Sequence, residues 1–219
     1  MRVELHWRDE DGVRLPLACW RPGPGYRMIA SSVLGGGIGP RDWVLNAQVP
    51  GGYARMDPAA HLAGLAAGVG LTGPGVGMMT AAQVTGMVRC RDGDVEVTAT
   101  TGLRVPTWAA APAGTADPEL RPVHVPGTIN ILVEVAVPLT DAALVNAVIT
   151  ATEAKTQAVL DAGFAGTGTA SDALCVACND NSKKRAQEFA GPRSEYGSRI
   201  ARAVYSAVLD GAIAYRAAL

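Results

Sequence analysis

Thr128-Ile129-Asn130-Ile131-Leu132-Val133-Glu134-Val135-Ala136-Val137 is the stretch on which the fold turns. It is rich in β-branched residues, follows Gly127, is stopped by Pro138, and reads as a strand. Thr140 is placed as an N-cap and opens a helix of about twenty residues that ends at Gly163. Gly166-Thr167-Gly168-Thr169-Ala170-Ser171-Asp172 then leads the chain into a short buried strand, Ala173 to Ala177. Asn179 to Gly191 is polar and reads as an exposed loop. Ser194 caps a last helix whose apolar stripe is Ile200, Ala203, Val204, Ala207, Val208 and Gly211. The second half of the chain is thus β-α-β-α.

Upstream of this unit the chain is β-rich. Val3 to Trp7 and Leu15 to Trp20 alternate with period two, and Tyr26 to Leu34 reads as a strand that runs into Gly35-Gly36-Gly37-Ile38-Gly39-Pro40. Asp57-Pro58 opens a helix, with Asp as N-cap and Pro at the first helical position. Its stripe is Leu62, Leu65, Ala66 and Val69, and Gly70 with Gly73-Pro74-Gly75 ends it. Val76 to Thr80, Val84 to Cys90 and Val95 to Thr101 read as strands, the last two joined at Arg91-Asp92-Gly93-Asp94 by a hairpin turn. Residues 106–126 hold five Pro and many Ala and read as a surface connection. The expected fold is α+β in a single domain over 1–219. A β-rich lobe of about 1–105 packs with a βαβα lobe over 127–219.

Composition narrows the functions. Apolar residues make up 48% of the 219, charged residues 18%, and the formal net charge is −1, so neither a nucleic-acid polyanion nor an anionic membrane surface is favoured as partner. Aromatic residues are only 5%, too few for a stacking platform along single strands. The first residues, Met1-Arg2-Val3-Glu4-Leu5, do not read as a secretory leader, and no apolar run reaches the ~20 residues a membrane span needs. The four Cys do not read as a disulfide framework, and a reducing cytoplasm is the expected compartment.

Chemistry concentrates in two segments. On a helical wheel, Val145, Val148, Ile149 and Val159 mark the expected buried side of the Thr140 helix, with Thr152 and Thr156 within it, Lys155 at its edge and Glu153 on its flank. Lys155 has two readings: a stem lying on apolar surface with its ammonium in water, or a desolvated amine acting as base or as electrophilic partner to a carbonyl. The Gly166–Asp172 loop also has two. Its amides form a donor array for an oxyanion, with the Thr167, Thr169 and Ser171 hydroxyls beside it, or it is a tight connection whose Asp172 accepts backbone amides. Gly35, Gly36 and Gly37 match neither a Walker nor a dinucleotide fingerprint, but they would let a large ligand approach the backbone. Asn46, Gln48 and Asp57 follow as candidate polar contacts, and Thr80 as a hydroxyl that could attack or bind a carbonyl. No metal site is expected. Cys175 and Cys178, three apart in a strand, point to opposite faces, and His6, His61 and His124 are scattered.

In order along the chain, these segments resemble the adenosylcobinamide amidohydrolase family. The matching stretches begin with Ser31-Ser32 and the glycine run, Asn46-Ala47-Gln48-Val49-Pro50, Tyr53, Asp57-Pro58 and Val76 to Ala82. They continue with Gly127-Thr128-Ile129-Asn130, Leu139-Thr140, Thr152-Glu153-Ala154-Lys155, Thr167-Gly168-Thr169 through Asp172, Ala190-Gly191-Pro192 and Ala203-Val204-Tyr205. Ser171 stands where Thr is expected and keeps the hydroxyl. The resemblance implies hydrolysis of the amide between the corrin propionyl arm and aminopropanol, giving adenosylcobyric acid. It implies a corrinoid as partner, a homo-oligomer being left open, and no cofactor beyond the cobalt that the substrate itself carries. The catalytic set it suggests is Glu153, Lys155, Asp172, Thr80 and Thr169. The binding set is Gly35, Gly36, Gly37, Asn46, Asp57, Asn130, Thr152, Gly166, Thr167 and Gly168. A weaker resemblance, of residues 127–180, is to the αββα amidases that cleave themselves to free a nucleophile, though no cleavage motif matches. A non-catalytic corrinoid-binding protein and a self-processed amidase are the alternatives.

Overall fold

The computed structural model describes residues 1–115 and 127–219, so part of the predicted 106–126 connection, and His124, lie outside the described residues. Ten strands form two sheets. The first four-stranded sheet has the order β1 (Val3–Glu10), β2 (Val13–Trp20), β5 (Trp43–Gln48), β6 (Gly75–Thr80). The second has six strands: β4 (Gly37–Pro40), β3 (Tyr26–Ala30), β10 (Ala173–Asn179), β9 (Ile129–Val135), β8 (Val95–Thr101), β7 (Val88–Asp92). Among the described residues only the strand pairs β5–β6 and β9–β10 are parallel. The six-stranded sheet takes strands from both halves of the sequence, so the two halves interleave.

Three helices complete the α+β fold: α1 (Pro58–Gly68), α2 (Asp141–Asp161) and α3 (Glu195–Ala217). The core falls into three apolar seams. Leu17, Cys19, Leu45 and Ala47 of the first sheet meet Leu62 and Ala66 of α1. Trp20, Val44 and Met78 meet Met28, Leu132 and Cys175 between the sheets. Ile129, Ile131, Val133 and Val176 meet α2 and α3 on the far face. The layers therefore run helix, sheet, sheet, helices. Strand β9 is almost wholly buried because both of its faces are covered, which is why it reads as a continuous apolar run.

Local chemistry sets the element ends. Thr140 Oγ1 accepts from Ala143 N at 3.2 Å and Ser194 Oγ from Gly197 N at 3.1 Å, capping α2 and α3 as expected. Pro58 opens α1, but Asp57 makes no side-chain cap; its carboxylate is held by Arg55 at 2.9 and 2.8 Å. Several boundaries differ from expectation. Val84–Gly86 is a 3₁₀ turn rather than strand, and β3 stops at Ala30. Strand β5 was not anticipated. Asp11 (φ 51°) and Gly12 (φ 77°) close a two-residue β1–β2 hairpin that extends both strands.

The buried side of α2 is also corrected. Ala143, Leu144, Ala147, Ala151, Ala154 and Ala158 face the core, while Val145 is 46% and Ile149 51% exposed. An alanine face lets α2 lie close to α3 and the sheet, so the small residues go in and the larger ones out. Cys175 and Cys178 do point to opposite faces, one between the sheets and one toward the helices. Burial pushes their thiols up to about 12 and about 11, so neither is a ready thiolate. All four cysteines are free.

Candidate functional site

The strand ends set one end of the sandwich. Met79 and Thr80 close β6, Ala30 closes β3, and Ile129 and Ala173 open β9 and β10. The C-terminal half of α2 reaches the same end because α2 returns antiparallel from β9 to β10. There Lys155 Nζ lies 2.6 Å from Asp172 Oδ2, and each side chain is only 14% exposed. The Asp172 carboxylate takes three further donors. Thr169 N reaches Oδ2 at 3.1 Å, Thr169 Oγ1 reaches Oδ1 at 2.6 Å, and Ile129 N reaches Oδ1 at 2.9 Å. With four donors in place the carboxylate serves as a fixed anion.

Small residues make this packing feasible. A methyl at Gly168 would overlap both Lys155 Nζ and Asp172 Oδ2, so glycine is what lets the loop backbone lie against the pair. The loop is moored on its other side. Thr107 N donates to Gly168 O and Thr167 N to Thr107 O, each at 2.8 Å. Thr167 Oγ1 accepts from Ala109 N at 2.9 Å, and Thr156 Oγ1 donates to Thr167 O at 3.2 Å. Of the four amides from Gly166 to Thr169, Gly166 N donates to Phe164 O at 3.1 Å. The amides of Thr167 and Thr169 are used as described, and Gly168 is bridged antiparallel to Thr107. Thr128 Oγ1 and Ser171 Oγ, 2.8 Å apart, continue the hydroxyl network toward β9.

A second polar group ties the two sheets together at the same end. Asn130 Nδ2, on β9, donates to Met79 O at 2.7 Å and to Asn46 Oδ1 at 2.8 Å; Asn46 Nδ2 donates to Thr100 Oγ1 at 3.1 Å. Asn130 is buried, and its Oδ1 has no partner among the described residues. A cavity of about 20 Å³ lies beside these groups, lined also by Trp20, Val44 and Met78.

The other expected site residues do not join the Lys155–Asp172 pair. Glu153 faces a groove between α2 and α3, with Arg202 and Tyr205, on the outside of the helical layer. It is two residues from Lys155, about 200° around the helix, and so serves a different surface. Thr152 Oγ1 donates back to Val148 O at 2.8 Å. Thr80 is buried, its Oγ1 accepting from Ala82 N at 3.0 Å. Gly35 and Gly36 lie in the turn from β3 to β4, both strands of the second sheet, where the chain touches β6 of the first. Leu34 bridges Gly77, a methyl at Gly35 would overlap Gly75 O, and Arg41 Nε donates to Gly35 O at 3.2 Å. Gly37 opens β4 with φ 83°.

One cluster escaped the sequence reading. His61 Nε2 lies 3.1 Å from Glu10 Oε1, and its Nδ1 lies 3.0 Å from Tyr53 OH, with the Tyr53 ring stacked on the imidazole. Arg8 holds the same Glu10 at 2.6 Å. Burial holds His61 below its ordinary value. The Asp11-Gly12 turn, which fixes Glu10 at a strand end, was the signal available. Among the described residues no group of three His, Cys, Asp or Glu is placed to hold a metal, and no helix is long and apolar enough to cross a membrane.

Comparison with known proteins shows the family. A family model described as adenosylcobinamide amidohydrolase matches residues 3–218. The adenosylcobinamide amidohydrolase of Methanosarcina mazei is 30% identical over 188 residues, which cover 83% of this chain and 88% of that protein. Match length and identity together establish that the chain belongs to the adenosylcobinamide amidohydrolase family.

Proposed function

We propose that this chain hydrolyses the amide joining aminopropanol to the corrin propionyl arm of adenosylcobinamide. Adenosylcobyric acid and aminopropanol are released, and both return to cobamide synthesis in the cytoplasm. The observation that carries the catalytic assignment is the Lys155 ammonium fixed by an Asp172 carboxylate that is itself saturated with donors.

In this reading the scissile carbonyl oxygen sits against Lys155, beside the Gly166–Thr169 loop. Water adds to the carbonyl carbon, and Lys155 stabilises the developing oxyanion. The C–N bond then breaks and the amine leaves with a proton passed from Lys155, which the proton lost by the attacking water restores. Thr169, held by Asp172, lines the approach of that water. Asp172 acts by position, keeping the ammonium aimed. Asn46 and Asn130 hold the end of β6 against β9, and the glycine run from Gly35 to Gly37 borders the same end. The groove bearing Glu153 takes no part. Water is the only co-reactant, and the cobalt enters with the substrate.

Incubation with adenosylcobinamide, followed by chromatography of released aminopropanol, tests this directly. Release in step with adenosylcobyric acid is expected. Tight binding of the corrinoid without release would make the chain a binding protein and overturn the reading.

A further inference from the structure

We propose that the free edge of β1 pairs with the β1 strand of a second copy, joining two four-stranded sheets into one continuous sheet across a two-fold axis at His6. This rests on the fold and not on the reaction. Among the described residues strand β1 bonds only to β2, so eight residues of strand present an open edge. Natural open edges are kept short, bulged, charged or covered; this one is regular along its whole register with β2 and carries charges of both signs.

What lies on the edge is self-complementary. Antiparallel pairing centred on His6 sets Leu5 opposite the second copy's Trp7, Glu4 opposite Arg8 and Val3 opposite Asp9, each twice. Leu5 is 43% and Trp7 48% exposed, and both project from the same face of the strand, alongside Val3. Pairing would cover these apolar side chains with one another. The registers on either side are worse. Shifting the centre to Leu5 sets Arg2 against Arg8, and shifting it to Trp7 sets Glu4 against Glu10, like charges in each case. Shifts of half a step put residues of opposite faces in register, which the pleat forbids. The His6 register is the one among these that sets no like charges opposite each other and matches Leu5 to Trp7; Arg8 meets Glu4 while its guanidinium also holds Glu10.

Occupant and register can be tested together by sedimentation equilibrium of the purified chain. A mass twice the 22.5 kDa of one chain is expected. Leu5→Lys and Trp7→Glu are each expected to give monomer, because each removes the apolar match. The double variant Leu5→Lys/Trp7→Glu sets Lys against Glu twice across the axis and is expected to recover the dimer. His6→Cys provides a second readout. Directly opposed residues lie within disulfide reach in an antiparallel pair, so oxidation should link two chains through position 6. A monomeric wild-type chain would overturn the proposal. So would a dimer indifferent to Trp7→Glu, or one in which His6→Cys fails to cross-link. Thermal unfolding of each variant identifies any that has lost the fold, and for those the His6→Cys result decides.

Discussion

Lys155 takes an arrangement that lies between the two readings its sequence position allowed. Its stem runs from α2 to the Gly166–Asp172 loop, and its ammonium ends on Asp172 rather than in open water. Asp172 likewise accepts the amides of Ile129 and Thr169, as a tight connection requires, while leaving a positive charge held at the end of the sandwich. Lys155→Met should lower kcat by on the order of 10²-fold or more, the usual cost of removing an oxyanion donor or acid. Asp172→Asn should give a smaller loss with a lowered melting temperature, because the fixed anion also anchors the loop. Steady-state rates paired with thermal unfolding separate the two effects; undiminished kcat in Lys155→Met would remove it from the reaction. His61 carries a prediction of another kind. Burial favours its neutral form, so the folded state binds this proton less readily than the unfolded chain. Its contribution to stability is complete above the unfolded value near 6.5 and is lost as pH falls through the lower folded value. The groups facing it are Glu10, Arg8, Tyr53, Arg55 and Asp57. Melting temperature should fall as pH drops below the unfolded value in the wild type, and less steeply in His61→Gln.

At the level of elements, helix α2 shows why periodicity placed the helix and mistook its face. Both ends were readable, since Thr140 caps it and Gly163 (φ 79°) terminates it. The face was not, because a wheel weighted by side-chain size points Val145 and Ile149 inward. In the structure, closeness of approach decides, and alanines at 147, 151, 154 and 158 allow it. Enlarging one of them tests this. Ala151→Leu should overpack the seam and cost roughly 1–3 kcal/mol, read as a lower denaturation midpoint, whereas Val145→Ala should change little. Strand β5 was missed for a related reason. Asn46 and Gln48 looked like ligand contacts, yet Asn46 bonds across to Thr100 and Asn130, and Gln48 Oε1 accepts from Val84 N at 2.9 Å. Polar side chains that bond between sheets interrupt the apolar pattern by which strands are recognised.

For the whole molecule, the ordered motifs make sense as one neighbourhood. The segments around Ser31, Thr80, Thr128, Lys155 and Thr169 are far apart in sequence and lie at one end of the sandwich, where four strands end or begin. That convergence was visible in the sequence only as an ordered set of matches. Which side chains meet is a tertiary fact, and so Lys155 joins Asp172 while Glu153, its near neighbour, does not. The strand order has a further consequence, for how the chain acquires its fold. Strand β10 sits between β3 and β9 yet is the last strand to leave the ribosome. Until it emerges, the β3–β4 pair and the β7–β8–β9 meander have no strand between them, and each exposes an apolar edge. A chain ended after Ala170 should therefore show no cooperative urea transition. The full chain should refold slowly, because closing the sheet joins residues 26–30 to residues 175–179 across most of its length. Over that interval during synthesis, the waiting edges are the part of this protein most dependent on protection from self-association.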